Sequence, residues 1–501
     1  MTTAYDVVVV GAGNAGLCAA LSAREAGAQV LVLERAPRYW RGGNSYVTGG
    51  SFRFPYRGLD DIRKIIPDLT DAEAASVDIG SYTEDQYFED MAKVTEYLAD
   101  PDLVDVLVRR AQDTMIWMRG HGVRFVLLFG RQAFKTRDRY RFWGGMITQS
   151  VGGGVGLVDS LFARAEQLGI DMWYGARGER LLTDGEGRVV GVGVRRDGTQ
   201  VDVPAATVIL AAGGFEANPE WRARYLGPDW DLARVRGTPY NTGDGIRMAM
   251  DIGAQPFGHW SGCHAVAWDA NAPPFGDPKI GELFQKHSYP FGLIVNKLGR
   301  RFVDEGADFR NYTYAKYGRE ILKQPGRLAF QIFDAKVVHL LREEYRIKEV
   351  TKAEAPTLEE LAEALEIDRQ GLLRTIQEYN AAVQDTPYDP AVKDGKRTVG
   401  IDPPKSNWAL RIDTPPYLGF AVTCGITFTF GGLKITPDAQ VVDTEGDLIP
   451  GLYAAGELVG GLFYHNYAGG TGLMTGAVFG RIAGAKAAEA ASSRANMVGR
   501  R

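Results

Sequence analysis

The chain has 501 residues, 45% of them hydrophobic and 24% charged, with a formal net charge of −5. That length exceeds one hydrophobic core and implies two or more domains. Scattered Lys and Arg exclude a basic nucleic-acid surface. Three distant cysteines (Cys18, Cys263, Cys424) with no CxxC spacing exclude a disulfide scaffold, an iron–sulfur cluster and a zinc site.

The N-terminus passes straight into an apolar run with no basic leader or cleavage site, and no stretch approaches the roughly 20 apolar residues of a membrane span. The expectation is a cytoplasmic protein with no transmembrane segment. Asp6–Val10 reads as a buried parallel strand. It runs into Gly11-Ala-Gly13-Asn14-Ala15-Gly16, then a helical pattern over Leu17–Ala26 and a second strand, Val30–Leu33, ending in Glu34. This order is a dinucleotide fingerprint. Gly11 makes the turn, Gly13 admits a pyrophosphate, Gly16 lets helix and strand pack, and Glu34 faces the ribose hydroxyls. The cofactor stretch continues through Arg35, Arg41, Gly42, Gly43, Asn44, Ser45, Gly49 and Gly50.

Residues 84–125 are helical and aromatic-rich, an insertion in the first domain. A strand at Thr207–Ala211 ends in Ala212, Gly213 and Gly214, followed by Thr242 and Asp244. Leucine spacing over 357–384 predicts helix, and Pro403-Pro404 and Pro415-Pro416 read as a returning linker. Another strand runs into Gly456-Glu457, and Gly469-Gly470-Thr471-Gly472-Leu473 opens an alanine-rich helix. This late return to the cofactor selects FAD over NAD. The positive end of the last helix would face the flavin pyrimidine edge.

With these segments, and with Arg41–Ser45, Asn241–Gly245, His259–His264, Arg301–Tyr314 and Tyr464–Gly472, the chain resembles the fumarate reductase/succinate dehydrogenase flavoproteins, and within them the FAD-dependent tricarballylate dehydrogenase group. The resemblance implies an α/β fold, a Rossmann-like FAD domain over 1–245 and 405–501 with an inserted α+β capping domain over 246–404. It also implies interconversion of CH–CH and C=C beside a carboxylate or carbonyl, with tricarballylate to aconitate as the default pair. No histidine precedes His121, so the FAD is expected to be non-covalent.

By the same resemblance Arg310 is the proton-transfer residue, with Glu305 and Asp308 as coupling carboxylates. His264 holds a substrate carboxylate, with His259, His287, Thr427, His465 and Gly470 also in the substrate region. Two family groups are missing: Thr427-Phe-Thr-Phe-Gly431-Gly432 stands where fumarate reductases keep a second histidine before a Gly-Gly pair, and Tyr467 where they keep an arginine. Tyr467 instead resembles the 3-ketosteroid dehydrogenase tyrosine. With the Gly469 and Gly470 amides it would form an oxyanion site. Arg53, Arg57, Arg131, Arg137, Arg139 and Arg141 are candidates to restore an acid clamp. Three readings stay open: a carboxylate dehydrogenase, a cyclic-ketone desaturase, and a flavoprotein subunit or monooxygenase-like cobalamin-pathway protein dependent on a partner. The electron acceptor would be a separate protein, a quinone or O₂.

Overall fold

The structure, a computed structural model, describes residues 5–136 and 139–498. Val7–Val10 are almost fully buried, as a β-branched run covered on both faces requires. Strand Tyr5–Val10 therefore pairs in parallel on both sides, with Val30–Glu34 and with Thr199–Leu210; Val10 lies between Leu33 and Leu210. Asp171–Tyr174 extends one edge, Ala176–Thr183 and Val189–Arg196 the other, and Leu448–Ala454 returns to pair with Val208–Leu210.

Helix Asn14–Glu25 is buried from Asn14 to Ala23 because the C-terminal helix, Thr471–Val498, lies on it. Glycines set that contact: a Cβ at Gly480 would sit 2.4 Å from the Ala15 carbonyl oxygen, and one at Gly484 2.2 Å from that of Ala19. The two ends of the chain thus meet at one cleft. Helices Glu84–Val94 and Pro101–Gly120 lie where the sequence placed helix.

The 17-residue strand Tyr417–Leu433 is the spine of a second sheet. It pairs with Pro256–Asp269, Ala329–Phe333, Arg234–Val235 and Ala353–Ala355. This sheet runs past both sequence-derived boundaries, 246 and 405. The proline pairs read as a linker, yet the strand behind them hydrogen-bonds in the cap, and the first sheet resumes only at Gln440–Val442. Helices Leu358–Ala364 and Arg369–Ala382 cover the cap. Register in the long pair breaks twice. His264 opposes Phe428 while Ala265 opposes Ile426, so Thr427 is the extra residue of a bulge; residues 260–262 loop out between His259 and Cys263. A bulge re-aims side chains, and here Thr427 and Phe428, neighbours in sequence, both reach the cleft.

Candidate active site

One continuous cleft runs from the N-terminal glycine turn to the junction of the two sheets. Its first half is lined by Gly11, Gly13, Asn14, Ala15, Glu34, Arg35, Gly43, Asn44, Ser45, Gly49, Ala212, Gly213, Asp244, Gly456, Glu457, Gly472 and Leu473. Helix Asn14–Glu25 starts at Gly13 with no side-chain cap; the Asn14 amide donates to the Ser45 hydroxyl at 3.0 Å, and the amides that follow it face a ligand anion. The Glu34 carboxylate accepts from the Ala12 and Ala36 amides at 3.2 and 2.8 Å, which fixes it at the end of its strand. Arg35 donates to Asp244 at 2.9 Å and to the Thr242 hydroxyl, closing the far wall. Buried Glu216 lies beneath the cleft and meets Glu457 at its wall. Asn44 and Asn241 each donate to Glu216 at 2.7 Å, and burial, then the Glu457 charge, pushes the Glu216 pKa well up. An uncapped helix, a terminal acid and glycine walls fit a dinucleotide.

Other predicted cofactor residues act from behind the wall. Gly16 packs on the Gly11 carbonyl, Gly214 lies against Glu457 and Thr429, and Gly50 against Ser150. Gly42, at φ +96°, would place a Cβ 2.6 Å from Val158 Cγ1. The Arg41 side chain turns away to Tyr174 and Asp159, because those groups satisfy its guanidinium on the outer face.

At the junction of the sheets, Arg131, Arg236 and Arg310 line the cleft with Glu282 among them. Glu282 pairs with Arg131 and, at 3.0 Å, with Arg236. Burial raises the Glu282 pKa, but Arg131 and then Arg236 outweigh it and leave the carboxyl ionised below its usual range. Among the described residues Arg310 has no carboxylate partner. It donates to the Gln132 side-chain oxygen at 3.3 Å, and its buried Nε has no partner. Burial, then Arg131, lowers its pKa without discharging it.

Beside the arginines is an aromatic wall. The His264 ring stacks on Phe428 at 5.1 Å and meets Tyr467 and Tyr314 edge-on at 5.0 and 4.9 Å. Burial, then Arg236, holds His264 well below its ordinary pKa, so it is neutral, and among the described residues neither nitrogen has a partner.

Several sequence expectations change here. Glu305 is held by Arg301 at 2.5 Å, and Asp308 by Lys93 at 3.0 Å, so neither couples to Arg310. The Gly470 and Gly472 amides donate to the Tyr467 hydroxyl at 2.9 and 3.1 Å, and the Gly469 amide to the Asn311 carbonyl. The expected oxyanion amides are therefore occupied, and Gly470 reaches the cleft only as part of its wall. His259 and His465 lie outside the cleft lining: the His465 amide donates to His259 Nδ1 at 3.0 Å, and the His259 ring stacks on Tyr464 with the His465 ring 4.6 Å away. His287 is buried behind the arginines, kept neutral by burial and then by Arg310. Of the clamp candidates among the described residues, Arg131 alone lines the cleft. Arg53 is buried elsewhere; Arg57, Arg139 and Arg141 are exposed, and Arg137 lies outside the described residues. Sequence reasoning missed Arg236 and Glu282, which sit in no motif, and gave no role to Tyr314, though it lies in the Arg301–Tyr314 signature.

The profile of the family described as FAD binding domain matches residues 6–473. The chain belongs to this family, within the fumarate reductase/succinate dehydrogenase flavoproteins. A probable fumarate reductase, Ifc3, of Shewanella frigidimarina is 30% identical over 97% of this chain and 75% of its own length. The NADH:acrylate oxidoreductase of Vibrio harveyi is 30% identical over 97% of this chain, which spans 50% of that protein. Among solved structures, the open conformation of a flavocytochrome c3 fumarate reductase superposes with a TM-score of 0.72 at 28% identity, over 98% of this chain and 79% of that one. The flavoprotein is thus an FAD-dependent oxidoreductase of the family that acts on C–C single and double bonds. Among the described residues no helix is long and apolar enough to cross a membrane.

Proposed function

We propose that the flavoprotein interconverts CH–CH and C=C next to a carboxylate that Arg131, Arg236 and Arg310 receive. The observation that carries this reading is the convergence of three guanidiniums, with Glu282 between them, on the cleft wall beside neutral His264. Oriented guanidiniums in a site that excludes water bind a carboxylate and stabilise the enolate charge that develops on it. When bound, non-covalently on this reading, FAD supplies hydride exchange at one of the two carbons. Arg310 exchanges the proton at the other, giving it up in reduction and recovering it in desaturation. His264, uncharged, offers one ring N–H to a substrate oxygen.

Tricarballylate to aconitate is the default pair, supported by family resemblance and by the number of cations. A cyclic ketone is the second reading, favoured by the aromatic wall and by Tyr467. Its hydroxyl oxygen already accepts two amides, so its own proton is left to donate. A separate protein, a quinone or O₂ exchanges electrons with the flavin. Anaerobic titration of the yellow protein with tricarballylate, succinate and a panel of cyclic ketones tests the choice. Bleaching by a carboxylate supports the arginine reading. Bleaching by ketones alone overturns it.

A further inference from the structure

A second buried cation lies a short way from the arginine cluster, outside the cleft, and no step above uses it. We propose that Arg53 is a positioning residue that ties the Arg310 loop to the Tyr467 loop, so that both side chains are presented to the substrate as one unit.

Arg53 follows the short strand Ser51–Phe52 and is fully buried. Its backbone amide donates to the Gly470 carbonyl at 3.2 Å and its Nε to the Gly469 carbonyl at 2.8 Å, so one residue holds both carbonyls of the glycine pair. A Cβ on Gly470 would come within 2.9 Å of the Arg53 nitrogen, which is why a glycine stands there. The guanidinium donates to Asp90 and to the Tyr82 hydroxyl, both at 2.8 Å. Asp90 belongs to helix Glu84–Val94 and also accepts from Tyr82 at 2.6 Å and from Tyr312 at 2.7 Å. The rings of Tyr82, Tyr87 and Tyr312 surround the cation at 5.3 to 6.0 Å.

Tyr312 is two residues from Arg310, and the link between the loops is direct. The Gly469 amide donates to the Asn311 carbonyl at 3.1 Å, and the Asn466 side chain to the Tyr312 carbonyl at 2.7 Å. The loop carrying Arg310 and the loop carrying Tyr467 therefore share an anchor, the Arg53–Asp90 pair on a rigid helix. Charge-assisted bonds at these lengths are about twice as strong as neutral ones, and truncating one member of a buried pair leaves the other uncompensated. Neither loop can shift without disturbing that pair. Arg53 itself lines no part of the cleft.

The inference rests on the reading of Arg310 and Tyr467 as groups that touch substrate, so one of its readouts is independent of turnover. The test compares the FAD-loaded full chain with Arg53→Lys and Tyr312→Phe. Amide hydrogen exchange is followed at 310–314 and 466–472, alongside kcat and KM. In Arg53→Lys, exchange should rise in both segments together, by about tenfold. At the same time kcat should fall about ten- to a hundredfold with KM little changed, since a misplacement of about 1 Å suffices for that. Tyr312→Phe should do the same more weakly, and it carries the test if Arg53→Lys does not hold FAD. Faster exchange in 466–472 alone, or in neither segment, overturns the tie. Coupled exchange with unchanged kcat upholds the tie and overturns the reading of Arg310 and Tyr467 as reacting groups.

Discussion

Replacing Arg310 by glutamine separates chemistry from stability. Arg131, Arg236, Arg310 and Arg342 form one cluster with the carboxylates Glu282 and Glu344 and, on its exposed side, Glu343 at 3.7 Å from Arg131, an excess of one positive charge. Glu282 is already engaged by Arg131 and Arg236, so Arg310 contributes repulsion that no ion pair offsets. Like charges a few ångströms apart repel by about 3 kcal/mol at an effective dielectric near 20. Removing the cation forfeits its approach to the Tyr314 ring, 5.8 Å away, worth about 1–2 kcal/mol when desolvated. Arg310→Gln should therefore keep its FAD and melt at the wild-type temperature or a few degrees above it. Loss of the positioned group that takes up the substrate proton during desaturation should slow flavin reduction by about 10² to 10⁴. Stopped-flow absorbance under anaerobic conditions gives the rate, and flavin fluorescence on heating gives Tm. A rate within tenfold of wild type removes Arg310 from proton transfer. A Tm lowered by more than about 5 °C refutes the charge argument.

Three more outcomes follow from single contacts. Tyr467→Phe removes the acceptor of two amides and the proton behind it, and should slow flavin reduction about tenfold or more; an unchanged rate leaves the residue as packing. Gly11→Ala forces a Cβ to within 2.3 Å of the Ala211 carbonyl oxygen at φ +105°, so the protein should purify without yellow colour, measured as the flavin-to-protein absorbance ratio. His259 is pushed down to about 4 by burial and then by His465. Its unfolded form binds protons at higher pH than its folded form, so the stability it contributes is complete above about pH 6.5 and lost as pH falls toward 4. Denaturant titrations across that window should show less acid loss in His259→Gln than in wild type.

What was legible in the sequence was local. Strand, glycine turn, helix, strand and Glu34 follow one another within 34 residues, and each step is set by β-branching, backbone freedom or helical period. The helices over 84–120 and 358–382 and the C-terminal helix were legible for the same reason. The capping sheet was less so, because strand Tyr417–Leu433 pairs with partners up to some 190 residues away, and a proline-marked linker says nothing of which sheet follows it.

The sequence alone determined a dinucleotide site, since the fingerprint is a contiguous signal whose physics is that of backbone and helix dipole, and the resemblance of the Gly456-Glu457 return to flavoproteins selected FAD. The tertiary structure alone decided the reacting end. Arg131, Arg236, Glu282 and Arg310 come from four separate segments, and only tertiary packing, with Glu282 paired to Arg131 and Arg236, brings them to one wall. Charge partners are likewise settled in space: Glu305, five residues from Arg310, binds Arg301, while Glu282, 28 residues away, is the carboxylate among the arginines. Sequence spacing fixes neighbours along a chain, and electrostatics acts between neighbours in the fold.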